Sequence, residues 1–197
     1  NMVTRTGASN DFKYIVEANL LETNGYFNWE HFYKTINFCN LVLQYAPGVM
    51  EEDPDFTQGD LDVVKGEMYA LRALCHFGLV RSFRDIPMSF VAMDADDQEM
   101  VYPQYSPYEA LDYIIADLDS ATKYCMKTGG WSDSRKNYAR ITRNAAYATK
   151  ADVNLWRAAF AQYSILSNDT AKYISTGEPI KYTEADVEKF YTEAIEN

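Results

Sequence analysis

The segment from Gly66 to Pro87, GEMYALRALCHFGLVRSFRDIP, constrains the fold more than any other part of the chain. Met68, Leu71, Leu74, Cys75, Phe77, Leu79, Val80 and Phe83 recur at helical spacing around more than one face. A helix with one apolar stripe lies on a surface. A helix apolar on most of its circumference must be packed from several sides. Asp85-Ile86-Pro87 ends it, because the residue before a proline avoids the helical region.

The rest of the chain supplies the partners for such a helix. Phe12 to Leu21 is a weaker helical stretch, followed by a turn at Glu22-Thr23-Asn24-Gly25. Trp29 to Tyr45 is predicted as a helix, with Pro47-Gly48 as its stop and an acidic loop from Glu51 to Asp55 beyond. Thr57 is the predicted N-cap of the long helix. Residues 86–105 read as an extended connector, with Met88 to Met93 as a short extended piece. Ser106-Pro107-Tyr108-Glu109 carries the full N-terminal signal: a capping serine, proline at the first position and glutamate three residues after the cap. That helix is predicted to run to Met126. Gly129-Gly130 breaks it, and Trp131 to Tyr138 reads as a polar loop. An alanine-rich helix is predicted from Thr142 to Leu166, and Thr183 caps a last one, with Asp186 at its third position.

The expected fold is therefore all-α: irregular, tetratricopeptide-like helical hairpins joined by long loops. Alanines three and four residues apart let the helices approach closely. The 197 residues read as a single helical-repeat domain, 1–197, cut from a longer chain.

Four blocks of the sequence resemble, in order, those of the SusD/RagB family of Bacteroidetes outer-membrane lipoproteins. Glu67, Leu71, Arg72, Ala73, Phe77, Leu79, Val80, Arg81, Asp85 and Pro87 match its E-x-x-x-L-R-A-x-x-x-F-x-L-V-R helix and the turn after it. Trp29 to Asn37, continuing to Asn40-Leu41-Val42-Leu43, is similar to its W-x-x-x-Y-x-x-I-x-x-x-N-x-x-L helix. Tyr108 through Ala121 resembles Y-x-x-I-x-x-D-L-x-x-A, and Arg140 through Ala151 resembles G-R-x-T-x-x-A-A-x-A-L-x-A. Two departures stand out. Asp85 occupies a place where Gly-Asp is usual, and Thr149 one where leucine is usual.

The resemblance implies a non-enzymatic, cell-surface glycan-binding protein that captures oligosaccharides and delivers them to a SusC-like TonB-dependent transporter. It implies the extracellular face of the outer membrane, with the membrane met only through a lipid anchor missing from this chain. It implies no cofactor. The alternative is a helical-repeat interaction scaffold with no ligand site of its own.

Composition excludes some partners and says little about a neutral ligand. A net charge of -11 opposes nucleic-acid binding, which needs a basic footprint. Aromatic residues make up 15%, including 16 tyrosines, whose apolar faces and polar tips suit both helix interfaces and sugars. Cys39, Cys75 and Cys125 have no metal spacing and read as buried free thiols. Neither HExxH, GxSxG nor a phosphate loop is present, and no catalytic or metal-binding residue is assigned. His31 and His76 read as packing residues. The acidic runs at 51–55 and 94–97 read as solvated loops.

Two clusters combine an aromatic face with hydroxyl-bonding groups. One is Asn24, Tyr26 and Trp29. The other is Trp131 with Asp133, Arg135, Asn137 and Tyr138. Trp29, at a helix start, also fits the core, and Trp131 fits either role. Trp156, among alanines, reads as structural.

Overall fold

The computed structural model describes residues 10–17, 19, 24–25, 28–95, 97–98, 102–167, 171–174 and 176–196. The chain divides into two compact units, residues 1–31 and 32–197. In the first, α1 (Asn10–Val16) is a short helix with no buried residue. It stops before the predicted Leu21. Asn24 Nδ2 donates to the Asp11 carbonyl at 2.9 Å, and the Gly25 amide donates to Asp11 Oδ2 at 3.1 Å.

The second unit is built from α2 (Glu30–Glu52) from residue 32 onward, α3 (Gln58–Phe83), α4 (Pro107–Tyr124), α5 (Lys136–Ala139), α6 (Arg143–Ser167) and α7 (Glu184–Glu196). Helix α3 packs on α4, α4 on α6 and α6 on α7, so the long helices from α3 onward pack in chain order. Two-residue strands, β1 (Ile86–Pro87) and β2 (Gln104–Tyr105), pair antiparallel and close the connector between α3 and α4. The all-α architecture of helical hairpins follows the sequence.

The multi-sided helix α3 sits at the centre. Ala73, Phe77, Leu79 and Val80 are almost fully buried, against Ile36 of α2, Leu111, Ile114 and Leu118 of α4, and Val153 of α6. Gly66 makes the closest approach: a Cβ there would lie 2.4 Å from the Cys125 amide nitrogen. Trp156 packs edge-on against Phe77, with ring centroids 6.1 Å apart, as a structural residue. The three cysteines are buried free thiols.

The core also holds a charged cluster. Arg72 donates to both Asp117 oxygens and, at 2.7 Å, to Asn40 Oδ1. Asn40 Nδ2 in turn donates to the Val91 carbonyl at 3.1 Å, and Asn37 exchanges two bonds with Met93. The connector can therefore lie against α2 because asparagine side chains satisfy its backbone.

Several expectations are corrected. Pro47-Gly48 does not end α2, which continues through Pro47 to Glu52. A proline forfeits one hydrogen bond and kinks a helix without having to stop it. The real stop is Asp53-Pro54, where the Asp53 amide still donates to the Val49 carbonyl at 2.8 Å. The extended pairing lies at 86–87 and 104–105, not at 88–93. Helix α4 ends at Tyr124, two residues short of Met126, and the 131–138 loop runs into α5. Ser106 caps α4 as expected, but Glu109 does not complete a capping box. Its carboxylate, buried, accepts from the Ile174 amide at 2.7 Å. His31 and Trp29 are exposed, Trp29 by 52%, so neither is a core residue.

Candidate functional site

The site forms where the α2–α3 turn faces the segment after α4. The turn is fixed locally. Asp53 Oδ1 accepts the Asp55 amide at 2.9 Å, and the Phe56 amide donates to the Asp53 carbonyl at 3.1 Å. Thr57 and Asp60 then form the capping box that starts α3. Thr57 holds the Asp60 carboxyl below the usual carboxylate range by hydrogen bonding.

On the other side the chain leaves α4 and turns at Gly129, whose φ of 79° suits glycine. Asn137 anchors the next residue: its Oδ1 accepts the Trp131 amide at 3.2 Å and its Nδ2 donates to the Trp131 carbonyl at 3.0 Å. The Arg140 guanidinium lies 4.6 Å from the Trp131 ring centroid, and Lys136 Nζ lies 5.7 Å from it. Arg140 is also tied to α3. Its Nε donates to Glu67 Oε1 at 2.8 Å and its Nη2 to Glu67 Oε2. Those bonds raise the Arg140 pKa further, so the guanidinium is permanently charged.

Between these segments lies an open cleft of about 630 Å³, within the size range of small-ligand sites. Val63, Val64 and Met126 give it an apolar lining, Phe56 and Trp131 add rings, and Asp53, Asp55, Asp60, Lys136 and Arg140 add charge. This composition suits holding a polyhydroxylated ligand, with carboxylates accepting hydroxyl protons beside apolar surface.

The structure sorts the predicted residues. Trp131 lines the cleft. Asn137 orients it through its backbone. Asp133 and Arg135 pair with each other, Nη2 to Oδ2 at 3.2 Å, and neither is among the cleft-lining residues. Their mutual hydrogen bonds lower the Asp133 pKa. Tyr138 is 92% exposed and also lies outside the lining. In the first unit, Asn24 is buried and engaged with the Asp11 carbonyl, which removes its amide from ligand contact. Trp29 presents an exposed ring, and Tyr26 lies outside the described residues.

Asp53, Asp55, Phe56, Lys136 and Arg140 are cleft residues that the sequence did not single out. The acidic turn carried the only signal, and by itself it reads as a solvated loop. Among the described residues, no group of three or more His, Cys, Asp or Glu is arranged to hold a metal ion.

The chain as a whole is similar to known proteins. Residues 2–155 match the family described as SusD-like, starch-binding and associating with the outer membrane. SusD-like protein P38 of Formosa agariphila is 29% identical over 98 residues, covering 50% of this chain and 18% of that protein. A laminarin-binding SusD-like protein of known structure is 27% identical, with a TM-score of 0.54, covering 68% of this chain and 28% of that one. A SusD-like carbohydrate-binding protein from Bacteroides fragilis shares the fold at a TM-score of 0.65 and 19% identity, over 84% of this chain and 32% of that one. The chain thus spans less than a fifth of the curated relative and about a third or less of these solved chains.

Proposed function

The chain belongs to the SusD-like family, and from that premise we propose that it is the helical-repeat part of a non-catalytic glycan-capture protein. It works at the extracellular face of the outer membrane, held there by a lipid anchor. It takes up oligosaccharides and passes them to a SusC-like TonB-dependent transporter. The observation that carries this reading is the family match over residues 2–155. The cleft at Trp131 supports it, since rings, apolar side chains and carboxylates that form no ion pair among the described residues meet there. Trp131 is the proposed contact surface, with Asn137 as its positioning residue.

A scaffold reading is favoured by one feature: the Arg140 guanidinium occupies one face of the Trp131 ring. On that reading the helices only support other parts of the protein and meet the transporter.

Titration of the whole protein with a panel of oligosaccharides, followed by tryptophan fluorescence, tests the capture reading. Saturable binding together with copurification of a TonB-dependent transporter is expected. An absence of both would end it. Binding that survives Trp131→Ala unchanged would leave this segment as scaffold.

A further inference from the structure

The charges of the Trp131 cleft are not balanced. We infer that the cleft is a subsite for uncharged sugar units and rejects units bearing uronate or sulfate. This deepens the glycan-capture reading and rests on it.

The cleft holds two cationic side chains, and an anionic sugar would need one of them available. Arg140 is not. Both its Nε and Nη2 go to Glu67, whose side chain is only 8% exposed. The buried Glu67 carboxylate takes the Nε–Nη2 edge and offsets the guanidinium charge, so what remains of Arg140 is an Nη1 donor whose charge is already matched. That leaves Lys136. Among the described residues it forms no ion pair, and its ammonium lies 5.7 Å from the Trp131 ring centroid.

Three carboxylates line the same cleft: Asp53, Asp55 and Asp60. Among the described residues none of them is ion-paired. Asp60 accepts from Thr57, a neutral partner that leaves its charge in place. One uncommitted cation therefore faces three anions. Like charges sharing one open cleft repel, and most strongly at low salt, where they are least screened. The same carboxylates are hydrogen-bond acceptors only, and sugar hydroxyls are donors. Asp53 keeps Oδ2 clear of the bond that Oδ1 makes to the Asp55 amide. Phe56, Val63, Val64 and Met126 supply the apolar surface against which the C–H face of a pyranose ring packs.

The test is calorimetric titration of the whole protein with neutral oligosaccharides (gluco-, galacto-, xylo- and manno-series) and with oligouronides and sulfated oligosaccharides of equal length. At low salt, a neutral series is expected to bind at least tenfold tighter than any anionic one. Asp53→Asn combined with Asp55→Asn keeps the turn's size and removes two charges. It is expected to narrow that ratio at least threefold and weaken the neutral ligand. Trp131→Ala is expected to weaken the neutral ligand about tenfold. Circular dichroism of each variant checks that α3 and α4 are intact.

Equal or tighter binding of an anionic series would overturn the inference and leave glycan capture standing. So would neutral binding that neither variant alters, since the ligand would then sit elsewhere. Binding of no oligosaccharide at all would overturn both.

Discussion

Arg72 and Asp117 face each other across the α3–α4 interface as a two-pronged pair, Nε to Oδ2 at 2.8 Å and Nη2 to Oδ1 at 2.7 Å. Each side chain is 9% exposed. Asn40 of α2 takes the remaining Nη1 at 2.7 Å, so a single guanidinium joins three helices. Phe90 and Tyr69 stack near it, each ring centroid 5.4 Å from Cζ. The cluster fixes register, because only one sliding position of α3 on α4 satisfies both carboxylate oxygens.

Truncating one partner leaves the other charge buried and unmatched. Arg72→Met or Asp117→Leu is expected to destabilise the fold by about 3–5 kcal/mol. The double variant is expected to regain most of that loss, since two apolar side chains need no matching. Urea denaturation of the three variants checks it. Additive losses in the double variant would mean that the pair does not act as a unit.

Gly66 sits where α3 and α4 touch through backbone alone. An added Cβ would meet the Cys125 nitrogen at 2.4 Å and the Tyr124 carbonyl carbon at 2.7 Å. Neither atom belongs to a side chain that can rotate away. Gly66→Ala is expected to cost about 1–3 kcal/mol through overpacking. Gly48, within α2, has nothing within 4 Å of the same position. Gly48→Ala should instead stabilise, by up to about 1 kcal/mol from helix propensity. Melting temperatures moving in opposite directions are the expected readout.

Arg84 closes α3 at φ 66° and ψ -80°, and it is the one non-glycine residue with positive φ among those described. A side chain is strained there and glycine is not. The sequence resemblance already marked this turn as a place where Gly-Asp is usual, and the structure supplies the reason. Arg84→Gly gives up side-chain contacts, among them a half-exposed ion pair with Asp85 that is worth little in water. The expected net effect is a gain of about 1 kcal/mol, read by thermal denaturation.

What was legible in the sequence was local. The Thr57, Ser106 and Thr183 caps depend on residues two or three places away, and all three hold in the structure. The burial of α3 was legible because its apolar residues leave no open face. The path of α2 through Pro47 was not, because packing of Ile36 and Cys39 and the Asn40 bonds stabilise the helix from outside its own sequence. Glu109 had the right spacing for a cap, yet its partner is Ile174, 65 residues on. The cleft shows the same limit. Glu67 and Arg140 are 73 residues apart, and only the α3–α4 packing brings the acidic turn to Trp131.

His76 gives the fold a built-in pH dependence. It is fully buried on α3, and neither ring nitrogen has a hydrogen-bond partner among the described residues. Burial, with the nearby Arg72 charge adding to it, pushes its pKa from 6.5 down to about 3. A base with a depressed folded pKa stays neutral in the native state while the unfolded chain takes up a proton. Stability from this group is therefore complete above about pH 6.5 and falls as pH drops from there toward 3, by up to about 1.4 kcal/mol per pH unit. Asp117 acts in the opposite sense. Burial raises its pKa above 3.8 despite Arg72, so in that lower range it favours the folded state as pH falls. Comparing the protein with His76→Phe separates the two, because Asp117 is common to both. The variant is expected to lose the slope between pH 6.5 and 4.5 and to hold its stability at pH 7, since no bond to either nitrogen is forfeited. Parallel stability curves for the two proteins across that window would show that His76 becomes protonated in place.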